Sequence, residues 1–439
     1  MHSDVMVGVN DEWPAHKERN PIGRAVMQTL HLNLVSEQLL PNMIPTFADR
    51  DCVGVIIIRG DDALEQQAQR LAAMYAAREI PVLAHIQGQS SFLLSALKQQ
   101  AHEVLQLLQR EHADKYWVLN ATCGTKPMAL AFTSAFNQYN AQHPNQTPAL
   151  IIYTDSQNKQ IAVLNENREF MLPYQSVMTL EELLEANGFM LVSAIQSDND
   201  GEVLARADLT HYLGVQFAAR CKNMLGGLQY LATQAAQNFP DTALQIMPSI
   251  PYGPYAELYQ TLDSAGLVEW KHDSQDIIFT SEEACRYLAG RWLEELTYLE
   301  AQKCGFEEVA MSVEGVWGDE GARQRALRSF SGERGKNNEF DVLIRHNNQL
   351  LTIECKAKNW HASEFTEQHD TSSHQDVMHK LDNLGRKLGG LYGRNLLISA
   401  RELTPAMHER AKQNRIGVCK NASPQTIYQH LFQCKEEMA

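Results

Sequence analysis

The sequence predicts an α/β protein in three parts, and three patterns predict it. From Leu30 onward, short apolar runs alternate with amphipathic stretches, the order of a doubly wound parallel sheet. Residues 255–280 read as a helix, a turn and two short strands, a winged-helix-like order. After Ser281 comes a long helix, three strands, a helix, a strand and a helix, with a tight turn at Asn347-Asn348. The expected boundaries are an irregular extension at 1–28, an α/β domain at 29–177, a helical, winged-helix-like connector at 178–280, and a second α/β domain at 281–439.

The elements follow from local periodicity. Leu30–Val35, the β-branched run Val53–Ile58, Pro81–His85, Tyr116–Leu119, Ala149–Tyr153 and Gln160–Leu164 have the length and composition of strands. Between them, Asp61–Arg78 and Ser91–Arg110 carry apolar residues at helical spacing, and Pro127–Tyr139 is a helix with proline in its first turn. Thr179–Ala186 and Leu204–Asn238 also read as helices. Ser281 caps a helix predicted to run unbroken to Lys303, with Glu282 and Glu283 in its first turn. Strands are expected at Glu307–Val316, Glu339–Arg345, Gln349–Lys356 and Asn395–Ser399, and helices at Gln375–Leu388 and Pro405–Gln413.

Composition narrows the options. Of the 439 residues 44% are hydrophobic, enough to fill globular cores, and no apolar run reaches the ~18 residues of a membrane span. The first residues lack the apolar centre of a secretory signal, so a cytoplasmic protein is expected. The eight cysteines include no C-x-x-C pair and read as reduced, mostly buried thiols. A net charge of -15 argues against long-range steering of a polyanion, so any such partner has to be held by a local basic strip.

The most specific chemistry lies on the predicted hairpin. Asp341 is followed thirteen positions later by Glu354-Cys355-Lys356. A tight turn brings the end of the second strand beside the start of the first, so Asp341 and Glu354 can converge. Two carboxylates at one point suit a hard divalent cation. Residues i and i+2 share a face, which puts Lys356 beside Glu354, where it can orient or deprotonate a water or offset phosphate charge. Cys355 between them faces the core. Ahead of the hairpin, Arg323, Arg325, Arg328, Arg334 and Lys336 form a basic run.

A second constellation lies in the first domain. Asn120-Ala121-Thr122-Cys123-Gly124-Thr125-Lys126-Pro127 joins a strand to a helix, exposing backbone N–H groups at a helix N-terminus beside a lysine. It is neither a Walker A loop nor a dinucleotide fingerprint. Leu32 to Asn42, with Ser36, Gln38 and Asn42, ends the first strand and opens the next helix. Both loops fall at the carboxyl ends of strands, where open α/β sheets bind ligands.

Asp341, Glu354 and Lys356 behind the acidic segment Gly290-Arg291-Trp292-Leu293-Glu294-Glu295 resemble the PD-(D/E)XK, restriction-endonuclease-like superfamily. By motif position Glu294 matches the helix glutamate of that family, with Glu295 as the alternative. Lys380 and Lys387 fall on the helix that packs beside its site; Arg334, Lys336 and Lys380 are possible contacts for substrate phosphate. The two loops of the first domain resemble the CARF (CRISPR-associated Rossmann fold) sensor of cyclic oligoadenylates, with Cys123 in the slot of the first glycine of its T-G-G-T-K-like stretch. Ser36, Gln38, Asn42, Thr122, Gly124, Thr125 and Lys126 are then the expected activator contacts. The pairing resembles the ancillary nucleases of type III CRISPR defence. It implies a homodimer that binds cyclic tetra-adenylate and cuts DNA, RNA or both, using Mg2+ or Mn2+. The alternative from another class is a ligand-responsive DNA-binding regulator with an inactive nuclease core.

Overall fold

The computed structural model describes residues 28–438 except 147, 157, 166–167, 220–221, 330–337, 358–359, 361–370 and 391–392. The extension expected at 1–28 thus lies outside the described residues apart from Gln28. The chain divides into two compact units, 1–187 and 188–439.

The first unit contains β1 (Thr29–Leu34), α1 (Leu40–Ala48), β2 (Cys52–Arg59), α2 (Glu65–Ala77), β3 (Val82–Gln87), α3 (Leu94–Glu111), β4 (Tyr116–Asn120), α4 (Lys126–Gln142), β5 (Leu150–Asp155), β6 (Gln160–Asn165), β7 (Arg168–Pro173) and α5 (Leu180–Ala186). Its seven strands lie in the order β3-β2-β1-β4-β5-β6-β7. The first five are parallel, and β6 and β7 extend the edge in antiparallel fashion. β1 and β4 are buried on both faces, which is why their sequences do not alternate. Met43, Ile44, Leu71, Tyr75 and Leu183 cover one face of the sheet, and Leu97, Val104, Met128 and Phe132 the other. β1 pairs with β2 on one side and β4 on the other, so the chain winds outward in both directions from there. Open α/β sheets bind ligands outside the carboxyl ends of strands at such a switch point, here β1 and β4.

The second unit holds β8 (Phe189–Ile195), α6 (Gly201–Ala205), α7 (Ala207–Ala219), α8 (Lys222–Gln237), β9 (Leu244–Ile246), α9 (Pro254–Ser264), β10 (Val268–Trp270), β11 (Asp276–Phe279), α10 (Glu282–Arg286), α11 (Trp292–Lys303), β12 (Glu308–Trp317), α12 (Glu320–Ser329), β13 (Asn338–His346), β14 (Gln349–Lys356), α13 (Thr371–Gly389), β15 (Arg394–Ser399), α14 (Pro405–Gln413), β16 (Ile416–Cys419) and α15 (Pro424–Met438). Six strands form a mixed sheet, β16-β15-β14-β13-β12-β8, and β10-β11-β9 form a small second sheet beside α9.

Three expectations change here. The helix predicted from Ser281 to Lys303 is broken by a π turn at Tyr287–Arg291, with Gly290 in a non-helical conformation. The helical span expected over Leu204–Asn238 is interrupted at Arg206, with α7 and α8 following and residues 220–221 outside the described ones. The segment expected to be a separate connector is packed into the second unit: β8 pairs with β12, and Phe217, Leu258, Tyr259 and Trp270 share one apolar cluster with Trp292, Leu296 and Ile353. β8, β9 and β16 are not among the expected elements, because an apolar run of three to seven residues has no period long enough to declare its partner; the helix α15 is not among them either.

The hairpin turn is as expected. Asn347 and Asn348 both take positive φ, 50° and 58°, the backbone of a type I′ turn that asparagine tolerates. Asn348→Ala is expected to destabilise the second unit by about 1–2 kcal/mol, whereas Asn348→Gly costs less; urea unfolding measures the difference.

Candidate functional site

β13 and β14 pair antiparallel with Val342 opposite Ile353, and one further step in that register sets Asp341 opposite Glu354. Alternation sends Val342, Ile353 and Cys355 into the apolar core, and Asp341, Glu354 and Lys356 to the other face. Asp341 and Glu354 are only 6% and 4% exposed. The Cys355 N–H donates to Asp341 Oδ2 at 2.6 Å, which fixes that carboxylate against the facing strand.

Lys356 Nζ lies 3.2 Å from Asp341 Oδ2, 2.7 Å from Glu354 Oε1 and 3.1 Å from the Cys355 carbonyl oxygen. Three oxygens from three residues thus surround one positive charge. Among the described residues no three His, Cys, Asp or Glu side chains close into a full ligand set. Two carboxylates and the Cys355 carbonyl are therefore the protein oxygens offered, a hard donor set of the kind Mg2+ completes with water. Burial and the neighbouring Glu354 push the Asp341 carboxyl up to about 6. Burial would lower the Lys356 ammonium, but Asp341 and Glu354 outweigh it and hold it above its ordinary value. In this arrangement the Lys356 ammonium donates to both carboxylates.

Glu294 and Glu295 take different parts. Glu294 is half-buried in the first turn of α11, and burial together with Asp341 raises its carboxyl well above the usual range. Glu295 is fully buried and gripped by the Arg206 guanidinium, Nε to Oε2 at 2.8 Å and Nη2 to Oε1 at 2.5 Å. Arg206, 89 positions before Glu295, escaped the sequence reading because no local spacing links the two. Lys380 on α13 has its Nζ 3.6 Å from the second oxygen of Glu354 and is 39% exposed. Lys387 stands over the Trp317 ring at 3.5 Å. Arg323, Arg325 and Arg328 lie on α12, a helix the sequence reading did not foresee. Arg334 and Lys336 lie outside the described residues.

In the first unit the structure brings the two expected loops together. Cys123 Sγ donates to the Gln38 carbonyl at 3.4 Å, so the residue in the glycine slot ties the loop after β4 to the loop after β1. Burial pushes its thiol up to about 11, which keeps it protonated as that donor. Ser36 Oγ donates to the same carbonyl at 2.9 Å. Gly124 takes φ 77°, and a Cβ there would meet Leu34 Cβ at 3.1 Å and Met128 Sδ at 3.2 Å. The Thr125 side chain caps α4 by accepting from the Met128 N–H, and Lys126 is exposed at the start of that helix. Thr122 turns toward Asn120 and accepts from the Thr154 N–H. Asn42 departs from the set: it is fully buried and donates to the Leu34 carbonyl, so it braces β1 against α1 beneath the loops.

The raised Asp341 carboxyl has a consequence for stability. Its favourable contribution is complete below about pH 4 and is lost as pH rises through about 6, where ionised Asp341 faces Glu354. Without divalent ions, Asp341→Asn is expected to be more stable than the unsubstituted protein by about 1–3 kcal/mol at pH 8, with no difference at pH 4. Denaturant unfolding at the two pH values checks this.

Residues 30–183 match the family model for the Card1 CARF domain, and residues 281–438 match that for the Card1-like endonuclease domain. No curated protein matches the sequence. Among solved structures, Can2 from Sulfobacillus thermosulfidooxidans, in complex with cyclic tetra-adenylate, is similar at 21% identity, with 92% of this chain and 99% of that chain covered and a TM-score of 0.69. Protein VC1899 from Vibrio cholerae is similar at 22% identity, with 94% and 99% covered and a TM-score of 0.71. Both likenesses reach across the two units and bear on the fold. The hairpin carboxylates lie within the endonuclease match, and the paired loops lie within the CARF match. The chain therefore belongs with the CARF effector nucleases, joining a Card1-type CARF domain to a Card1-like endonuclease domain.

Proposed function

We propose that this endonuclease is metal-dependent, cuts DNA, RNA or both, and is switched on by cyclic tetra-adenylate bound by a cytoplasmic homodimer. The observation that carries the reading is the meeting of Asp341 Oδ2, Glu354 Oε1 and the Cys355 carbonyl around one cationic point. Mg2+ or Mn2+ held by those oxygens would polarise a phosphoryl oxygen and lower the pKa of a bound water. Asp341 and Glu354 are the holding groups, and Glu294 is the supporting carboxyl supplied from α11. Lys356 is held protonated, so it donates to a phosphate oxygen or orients the attacking water. Lys380, exposed beside Glu354, is a further phosphate contact, with Arg334 and Lys336 as others; Arg325 and Arg328 are exposed on α12. These local cations answer the acidic net charge of the chain.

Support for the sensor half comes from the two loops tethered at the carboxyl ends of β1 and β4. Ser36, Gln38, Thr122, Gly124 and Thr125 are half-buried and Lys126 is exposed, all on the two tethered loops. The start of α4 favours phosphate there. Can2 was solved with cyclic tetra-adenylate, an activator whose two-fold symmetry suits an isologous dimer. Phe92 and Leu93 precede α3 and Leu130 lies on α4, and they are 72%, 60% and 69% exposed. Thr125 Oγ1 bonds the Ser91 carbonyl and so joins the two segments that carry them. Apolar side chains this exposed suit burial against a second copy. Among the described residues no helix is long and apolar enough to cross a membrane.

The test is cleavage of plasmid and single-stranded DNA and RNA in Mn2+, with and without cyclic tetra-adenylate. Cutting is expected to depend on the activator. Glu354→Ala is expected to lower the rate roughly 100-fold or more, since metal-held charge stabilisation is worth several kcal/mol. Lys126→Ala is expected to raise the activator concentration needed by about 10-fold, the loss of one charge-assisted phosphate contact. Activator-independent cutting, or full cutting by Glu354→Ala, would reject the reading.

A further inference from the structure

The first turn of α11 carries Glu294, and Trp292, Leu293 and Leu296 root it in the core. Gly290 interrupts the helix just before it, and Arg291 at its N-cap makes no side-chain cap bond. On its polar side the turn is gripped by an ionic clamp. Glu295 has both carboxylate oxygens on the Arg206 fork, with Arg291 Nε 3.9 Å away. Arg291 in turn holds Glu283 at 2.9 Å. The Arg206 guanidinium lies 5.0 Å over the Tyr287 ring, and the Tyr287 hydroxyl is 2.8 Å from Thr210 Oγ1. The clamp thus spans α7, α10, the π turn and α11.

Helix geometry carries the grip across to the carboxylates. Successive residues are about 100° apart, so fixing Glu295 fixes the direction of Glu294. Thr297, three positions on from Glu294 and on the same side, places its Oγ1 3.4 Å from Cys355 Sγ. Cys355 points to the core between Glu354 and Lys356, so this side of α11 packs from the core face against the segment of β14 that bears the site. We propose that Arg206, from the segment between the two matched domains, is a positioning residue of the nuclease centre: its fork on Glu295 sets the first turn of α11 so that Glu294 faces Asp341 and Lys356. The proposal rests on the reading of Glu294 as a carboxylate of that centre.

The test measures Mn2+ binding to the full chain by electron paramagnetic resonance or calorimetry, with a melting curve for each variant. Arg206→Met alone strands a buried carboxylate, so two gentler changes are used. Arg206→Lys keeps the charge but loses the fork, and the Arg206→Met, Glu295→Met double variant removes both charges and keeps the volume. Each, folded at the assay temperature, is expected to raise the Mn2+ concentration for half-saturation by about 10-fold, the usual effect of losing an outer support of a metal ligand. The shift is expected to vanish when Glu294→Gln is already present. Folded variants that bind Mn2+ as the parent does, or a shift of the same size in the Glu294→Gln background, would overturn the proposal. Glu294→Gln binding Mn2+ like the parent would also overturn it. A weakened Asp341→Asn in the same series would then leave the reading of the hairpin standing.

Discussion

Two buried carboxylates face one another across a β-hairpin and share a single ammonium group. That crowding is the constraint on which the nuclease half depends. Carboxylates with 6% and 4% exposure repel at close range, and burial strengthens the repulsion. Lys356 balances only part of the charge, and Lys380 adds a looser contact from α13. The site is thus built to favour one more positive charge, and its three convergent oxygens are of the type a hard divalent ion takes. The apolar side of the same hairpin holds it in place: Val342, Ile344, Leu351 and Ile353 are anchored in the core below.

The same economy of structure appears in the sensor domain. Its loops are framed by contacts that leave Lys126 and the start of α4 open. Cys123 and Ser36 both donate to the Gln38 carbonyl, which draws the loop after β1 toward the loop after β4. Gly124 is needed for its positive φ and for the close approach of Leu34 and Met128. Asn42 and Tyr75 bond below them in a fully buried polar layer, with the Tyr75 hydroxyl donating to the Asn42 carbonyl. A phosphate at the switch point would then meet a preformed surface, with no need for the strands beneath to move.

Much of this was legible in the sequence, and what was not has a common cause. The alternation of strands and helices, the Asn347-Asn348 turn and the Asp341, Glu354, Lys356 set all depend on neighbours within a few residues or across one tight turn. Local period and turn chemistry specify such features. The integration of the connector did not show, because β8 finds β12 and Arg206 finds Glu295 only after long stretches of chain. The choice between Glu294 and Glu295 was open for the same reason: adjacent residues on a helix differ by about 100°, and only the tertiary partners decide which points at the sheet. Asn42 read as a ligand contact because a polar residue in a loop-to-helix junction gives no sign of facing inward.

Metal binding by Asp341, Glu354 and the Cys355 carbonyl is open to direct measurement, by anomalous diffraction from crystals of the full chain soaked in Mn2+ near pH 8. A single strong peak is expected about 2.2 Å from oxygens of all three residues. An intact hairpin with no peak there, or a peak bound by other residues while Lys356 keeps its place between the carboxylates, would contradict it.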